Sequence, residues 1–403
     1  MDAKLIGATI AQLRRDHKYT QAELADLLNV SDKTVSRWES GSGYPEITQF
    51  PILAALFGVS IDYLMTGARN GITFAGSMVV DWVKTLPVFP ERGMLSYIAS
   101  VTKAVGGCAC NTAIDLAKID RSIPVSVMGC VGDDDSGRFL LQMLRKHYIN
   151  TDMVQVLENT QTAFCDVMSE PGSERTFFSF RGANARFCPG KAEAAQLKCR
   201  MLHIGYLLLL DALDAPDPEF GTAMARFLYY VKERGIKTSI DLVSDSSADY
   251  AATVLPALKY TDYAIINEIE CCKIFEWEPR YPDGSLNITV IRLAMEKLLE
   301  AGVREKVIVH CPEASFCLSV DGSFTKLGSL QIRTELIAGS VGAGDAFCAG
   351  CLYGIYNDYT DLQMLEFASV AAASSLFAVN SIDGMRPRDA LMELAEEYGR
   401  LQI

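Results

Sequence analysis

The sequence predicts an α/β architecture, a mostly parallel sheet with helices on both faces and a small β lid, preceded by a small all-α module. Three observations carry this. Residues 1–67 hold short helical patterns and no β-rich run. Gly67 to Gly71 reads as a linker. From Ile72 onward, apolar β-rich runs alternate with helical stretches, the pattern of parallel strands joined by helices. The boundaries read from this are 1–67, a linker at 68–71 and 72–403. At roughly 100–200 residues per domain, 403 residues agree with such a division.

In the first module, Lys4–Asp16 sets Leu5, Ile6, Ile10 and Leu13 on one helical face. Thr20-Gln21-Ala22-Glu23 is a capping box: the Thr20 hydroxyl caps the helix while Glu23 reaches back. That helix carries Leu24, Leu27 and Leu28, and a turn at 29–31 follows. A third helix, about 32–39, buries Val35 and Trp38 and stops at Gly41, Gly43 and Pro45. Two short helices are expected near 48–57 and 60–65.

In the second part, strands are predicted at 72–80, 125–129, 201–204, 237–242, 263–267 and 306–310. Helices are predicted at 137–147, 220–234 and 289–301. The runs 163–169 and 175–180 flank Glu170-Pro171-Gly172-Ser173 and read as a hairpin projecting as a flap. Tyr206 to Leu210, an apolar run, reads as a buried strand or loop edge and is far too short to cross a bilayer.

The N-terminus has no basic region followed by an apolar stretch, so no signal peptide is expected. The twelve cysteines show no zinc-ligand spacing and read as buried thiols of a reducing cytoplasm. The net charge of −13 excludes a general nucleic-acid coat. Any DNA contact has to come from a local basic face.

Chemistry concentrates at two glycine sites. Gly339-Ser340-Val341-Gly342-Ala343-Gly344-Asp345 precedes an apolar helical run. A Gly-rich turn at a helix start points free N–H groups at an anion. An acid just inside that helix can take a proton from an attacking hydroxyl. Backbone donors there can hold charge growing on a transferring phosphoryl group. Gly106-Gly107 with Asn111 opens another helix; the glycines permit close approach of a ligand, and Asn111 offers both donor and acceptor.

These residues are joined in order by Gly76 and Asp81, Gly129-Cys130-Val131-Gly132-Asp133-Asp134, Arg181-Gly182-Ala183-Asn184 and Asn267-Glu268-Ile269-Glu270. From about Ile72 to the C-terminus the chain thereby resembles the PfkB/ribokinase carbohydrate kinases. The resemblance implies a ribokinase-like fold and a kinase that uses ATP and Mg2+ on a sugar or related small molecule. It makes Asp345 the catalytic base and the N–H groups of Gly342, Ala343 and Gly344 an anion hole. Asp81, Gly106, Gly107 and Asn111 would hold substrate hydroxyls; Arg181 would serve substrate or brace the lid. Asn267, Glu270 and Ser340 would face the nucleotide, with Glu270 organising Mg2+ through water. Segments at about 88–101 and 163–181 would form a lid that excludes water.

Tyr19–Ala25, Val30–Gly41 and Phe57–Leu64 resemble the Cro/C1-type (XRE) helix-turn-helix family. The resemblance implies double-stranded operator DNA as partner and a homodimer on two half-sites. The third helix would enter the major groove, with Asp32, Lys33, Thr34, Ser36 and Arg37 exposed and Gln21 on a phosphate.

Two departures from the kinase pattern stand out. Gly339-Ser340 replaces the family's Asp-Thr, removing a carboxylate that helps hold a monovalent cation in ribokinase-like members. A 310–315 segment, His-Cys-Pro-Glu-Ala-Ser, replaces a Gly-containing loop near the nucleotide. Two functions follow: an active sugar kinase fused to a DNA-binding regulator, or a sugar-sensing regulator with little or no turnover.

Overall fold

The structure, a computed structural model, describes residues 2–170, 176–245 and 249–403. Five helices come first: α1 Ala3–Asp16, α2 Gln21–Leu28, α3 Asp32–Glu39, α4 Gln49–Phe57 and α5 Ile61–Thr66. The Thr20–Glu23 capping box forms as expected. Ile6, Ile10, Leu13, Leu24, Leu28, Val35, Trp38, Leu53, Phe57 and Leu64 make one core. Leu5 and Leu27 instead face outward. Ile6, Ile10 and Leu13 already fill the inward stripe at spacings of four and three, and Leu5 lies off it.

The second part begins with β1 Ile72–Gly76, β2 Val79–Thr85, β3 Ser100–Gly106, α6 Cys108–Ile119, β4 Val125–Gly132, α7 Asp135–Lys146 and β5 Asn150–Leu157. Next come β6 Phe164–Ser169, β7 Thr176–Phe180, α8 Lys191–Gln196, β8 Met201–Leu207, α9 Asp211–Asp214 and a small ribbon, β9 Pro216–Asp217 with β10 Gly221–Thr222. Then follow α10 Ala223–Glu233, β11 Lys237–Leu242, α11 Tyr250–Leu258, β12 Tyr263–Asn267, α12 Glu268–Lys273 and α13 Ile288–Ala301. The chain ends with β13 Lys306–His310, β14 Ala314–Ser319, β15 Phe324–Gly328, α14 Ala343–Tyr356, α15 Asp361–Ser375 and α16 Arg388–Glu397.

Nine strands form the main sheet in the order β15-β14-β13-β12-β11-β8-β1-β4-β5. It is parallel from β5 to β13; β14 and β15 add antiparallel. An apolar layer lies on each face. One joins α6, α14 and α15 to the sheet, the other α10, α11 and α13. Strands buried on both faces explain the near-continuous apolar runs in the sequence.

The lid is a second sheet in the order β3-β2-β6-β7. The single strand expected at 72–80 is two strands in two sheets. The chain leaves β1 at Ser77-Met78, and the buried Asn184 fixes that bend. Its Oδ1 accepts from Met78 N at 3.2 Å, and its Nδ2 donates to Met78 O at 3.2 Å and to Ser77 Oγ at 3.3 Å. The hairpin expected at 163–180 forms as β6 and β7. Its connection, including Pro171, Gly172, Ser173 and Arg175, lies outside the described residues. No described helix is long and apolar enough to cross a membrane.

Candidate active site

The glycine sites meet at the carboxyl ends of the parallel strands, where open α/β sheets bind ligands. Asp345 lies in the first turn of α14 and is 4% exposed. Its Oδ2 accepts from Asn111 Nδ2 on α6 at 2.9 Å, and its Oδ1 from the Tyr206 hydroxyl at the end of β8 at 2.6 Å. Burial raises the Asp345 pKa, and the hydrogen bonds from Tyr206 and Asn111 pull it partly back. Asn111 Oδ1 is buried and has no partner among the described residues. An orphaned buried acceptor is costly unless a ligand hydroxyl completes it.

Asp81 projects from β2. Burial, then the nearby charge of Asp345, push its pKa up to about 7. A Cβ on Gly106 would lie 2.3 Å from Asp81 Oδ2, so only glycine leaves room for that carboxyl. Gly107 has φ +84°, and a Cβ there would lie 2.5 Å from Ser77 O. Both glycines are therefore fixed by the close approach of the β3–α6 corner to the β1–β2 bend.

At the start of α14, the N–H groups of Gly342 and Gly344 have no acceptor among the described residues. Ala343 N donates to Ser340 O at a long 3.3 Å. Gly342, at φ +82°, packs so tightly on Ser381 that a Cβ would come within 2.6 Å. Two free donors plus one weakly held donor at a helix N-terminus make an anion-binding turn. The Ser340 side chain is exposed beside it.

Asn267 and Glu270 form a capping box on α12. Glu270 Oε2 accepts from Asn267 N at 3.0 Å, and Oε1 from Asn267 Nδ2 at 2.7 Å and Ser244 Oγ at 2.9 Å. Burial pushes the Glu270 pKa up to about 7. Arg181 stands apart, paired with Asp211 on α9, and no described contact brings it to the Asp345 group. The 310–315 segment is a tight antiparallel turn pinned by Arg280. That guanidinium bonds Glu313 at 2.7 and 3.0 Å and Glu268 at 2.7 Å. His310 packs against Phe347 with centroids 4.8 Å apart and the rings tilted by 40°, and burial lowers its pKa to about 4.

In the helical module, Asp32, Lys33, Ser36 and Arg37 are exposed on α3, and Thr34 is half-buried with its hydroxyl 2.8 Å from Ser31 Oγ. Gln21 differs from expectation: its Nε2 donates to Glu39 at 2.8 Å, and Glu39 is held by Arg14 at 2.6 Å. The amide is therefore partly engaged in tying α2 to α3. Tyr206 and Asn184 had no assigned part in the sequence reading. Tyr206 was hidden in an apolar run, although it follows a predicted strand on its carboxyl side, where ligands bind.

The model of the pfkB family carbohydrate kinases matches residues 70–387, and a helix-turn-helix family model matches residues 10–64. A ribokinase of Schizosaccharomyces pombe is 23% identical over 78% of this chain and 96% of its own length. A probable chloroplastic fructokinase of Arabidopsis thaliana is 26% identical over 79% of this chain and 80% of its own. The structure of Arabidopsis thaliana ribokinase complexed with ribose and ATP superposes with a TM-score of 0.66 at 18% identity, covering 82% of this chain and 99% of that one. The fold is thus ribokinase-like, and the N-terminal helices are a helix-turn-helix domain. With the Asp345 turn, the second glycine corner and a match over most of its length, the chain belongs to the pfkB family of carbohydrate kinases.

Proposed function

We propose that this chain transfers the γ-phosphoryl group of ATP to a hydroxyl of a sugar or related polyol, and binds operator DNA through α3. The observation that carries the first half is the buried Asp345 carboxylate beside the Gly342–Gly344 donors, with Asp81 near enough that the Asp345 charge adds to burial in raising the Asp81 pKa. The substrate hydroxyl takes the place of the Tyr206 hydroxyl on Asp345, which accepts its proton as the oxygen attacks phosphorus. Positioned proton transfer of this kind contributes roughly 10²–10⁴-fold. The free N–H groups of Gly342 and Gly344 stabilise the oxygens of the transferring group. Asp81 and the orphaned Asn111 Oδ1 hold neighbouring hydroxyls.

Glu270 fits Mg2+ through water. It is an oxygen donor whose burial disfavours its own charge, and a nearby cation would restore it. When bound with ATP, the ion would neutralise phosphate charge. Asn267 orients Glu270 through two hydrogen bonds. Arg181 and Ser340 stay as substrate and nucleotide contacts that lid closure would recruit.

The test is ADP formation with MgATP across a panel of sugars and nucleosides, in the parent and in Asp345→Asn. Turnover lost by a factor of roughly 10² or more in the variant is expected. Absence of any Asp345-dependent turnover sinks the kinase reading. One observation favours the second reading, a sugar sensor without turnover: Asp345 is already capped by Tyr206. Operator affinity that responds to sugar equally in the parent and in Asp345→Asn would support it. For a homodimer, the exposed apolar side chains Met94, Leu95 and Tyr97 between β2 and β3, and Phe177 and Phe178 on β7, are the features in favour.

A further inference from the structure

Between the helix-turn-helix domain and the kinase part lies a cleft that neither phosphotransfer nor operator binding uses. It consists of two adjoining cavities of about 690 and 720 Å3, and His17, Phe57 and Arg234 line both. Each falls within the roughly 300–1,000 Å3 of small-molecule sites. The larger carries four cations, Arg69, Arg200, Arg234 and Lys237, against two acids, Asp16 and Glu233. That sign is the reverse of a chain whose net charge is −13. Two of the four cations are already neutralised: Arg200 Nη2 bonds Asp358 at 3.1 Å, and Lys237 pairs with Glu305. The other two are not. Arg69 Nη1 donates to Leu197 O at 3.2 Å and its guanidinium stands 5.5 Å from the Tyr63 ring centroid. Arg234 Nη2 donates to Gly58 O at 3.2 Å. Neither is paired with a carboxylate among the described residues.

We propose that this cleft is a site for a phosphate group, carried by a sugar or free, held between Arg69 and Arg234. Three observations point there. First, both guanidiniums are half-buried and lack a counter-charge, and a buried charge left uncompensated is costly. Second, they oppose one another: burial, and then the charge of Arg234, lower the Arg69 pKa. Third, Arg234 is incompletely bonded where it stands, because its buried Nε has no partner among the described residues. One ligand answers all three. A phosphate monoester carries close to two negative charges at neutral pH, which offsets both cations at once. The planar guanidinium fork also fits phosphate oxygens in pairs.

The second cavity, continuing past Arg234, has another character. Ser60, Asp62, Asn70, Asn150, Asp152 and Gln196 line it, a set that accepts and donates to hydroxyls. A cationic end joined to a polar, partly acidic end matches a molecule with a phosphate at one end and hydroxyls along the rest. The cleft therefore favours a phosphorylated sugar over bare phosphate. Arg69 belongs to the linker and Arg234 follows α10, and their bonds to Leu197 O and Gly58 O already cross between the two parts. An anion between them fixes how the parts sit. Resting on the proposed function, the ligand is the class of molecule that the Asp345 site releases, and its binding alters operator affinity because it favours one seating of the helix-turn-helix domain.

The experiment titrates the full chain by calorimetry with inorganic phosphate, with glucose 6-phosphate, fructose 1-phosphate and ribose 5-phosphate, and with the parent sugars. The expected result is saturable binding of phosphate compounds, weakened at least about tenfold in Arg69→Gln and in Arg234→Gln and lost in the double variant. Arg234→Lys, which keeps the charge, should retain part of it. Urea unfolding confirms that each variant folds. Esters that bind more tightly than inorganic phosphate assign the site to them, and equal binding assigns it to free phosphate; both uphold the anion site. No phosphate binding by the parent up to about 10 mM overturns the proposal. So does binding undiminished in a folded double variant, which would place the anion at the Gly342–Gly344 turn. A gel-shift on a DNA site selected from a random pool, with and without the tightest ester, tests the regulatory half. Unchanged affinity overturns that half. A chain that selects no DNA fails the operator reading, while phosphate binding is judged without it.

Discussion

Replacing Tyr206 by Phe removes one hydrogen bond from Asp345 while keeping the ring that fills the end of β8. In the free protein the phenol donates to Oδ1 at 2.6 Å, and Asn111 still holds Oδ2 at 2.9 Å. A hydrogen bond to a charged partner is worth about 1.5–3 kcal/mol net. It favours the ionised carboxylate, so losing it raises the Asp345 pKa. The sign follows from the causes already at work: burial raises this pKa, and Tyr206 is the first of the groups that oppose it.

The assay is ADP release measured from pH 5 to 9 with the preferred sugar. The acidic limb of kcat/KM reports the free protein and should move to higher pH in Tyr206→Phe. The limb of kcat reports the ternary complex. There the substrate hydroxyl has displaced the phenol, so that limb should coincide in parent and variant. An unmoved kcat/KM limb refutes the coupling of Tyr206 to the base. Equal movement of both limbs refutes the displacement, because Tyr206 would then stay bonded through the reaction.

Asp81→Asn should be more stable than the parent at pH 8 and equal to it near pH 4. The folded pKa of about 7 stands above the ordinary 3.8, so the parent's stability is full below 3.8 and declines as pH rises through 7. Three units correspond to about 4 kcal/mol, and partial exposure reduces this to about 2 kcal/mol, read by urea unfolding at the two pH values. Gly107→Ala places a Cβ 2.5 Å from Ser77 O at φ +84° and should cost about 3 kcal/mol or more in the same unfolding assay; a loss below about 1 kcal/mol would show that the corner yields. Lys33→Ala should weaken operator binding by about 1–3 kcal/mol and relax one base position in a competition gel-shift, whereas a loss uniform over all sequences would place Lys33 on phosphate. Arg234→Ala removes a bond to Gly58 O and should reduce any sugar dependence of operator affinity while leaving kcat as it was; unchanged dependence would exclude this contact from coupling.

The strands at 263–267 and 306–310 were legible residue for residue, because strands buried on both faces write nearly continuous apolar runs, and 237–242 matched as well although Lys237, Thr238, Ser239 and Asp241 interrupt it. The helix-turn-helix helices were legible from one capping box, Thr20–Glu23, and from glycine stops. The lid was read poorly. β2 is half-buried along most of its length and β3 is exposed over its first three residues; both mix Lys, Thr or Ser with apolar residues, so their runs are short and interrupted. The break between β1 and β2 was invisible because Ser77-Met78 is itself buried, and the residue that bends it, Asn184, is 106 positions away from Met78. The same holds at the site. Asp345, Gly107 and Asn111 stand in local motifs, whereas the Tyr206 partnership spans 139 residues. Long-range hydrogen bonds leave no periodicity to read.

The two functional ends of the chain sit at opposite ends of one strand. Arg69, in the linker after α5, donates to Leu197 O, and Arg234 donates to Gly58 O, so the linker and the helix-turn-helix domain touch the segments that lead into β8 and β11. The Asp345 site lies at the other ends of those strands. β8 runs between the two, from Met201 to Leu207, and carries Tyr206 at its far end and His203 midway. A strand of that length spans about 23 Å. Sugar binding can alter DNA affinity only by binding two arrangements of the chain unequally. Displacing Tyr206 from Asp345 is a discrete change at one end of β8, and two hydrogen bonds at the other end form a contact slight enough to be rearranged by it. Coupling on this path requires β8 to move as a unit.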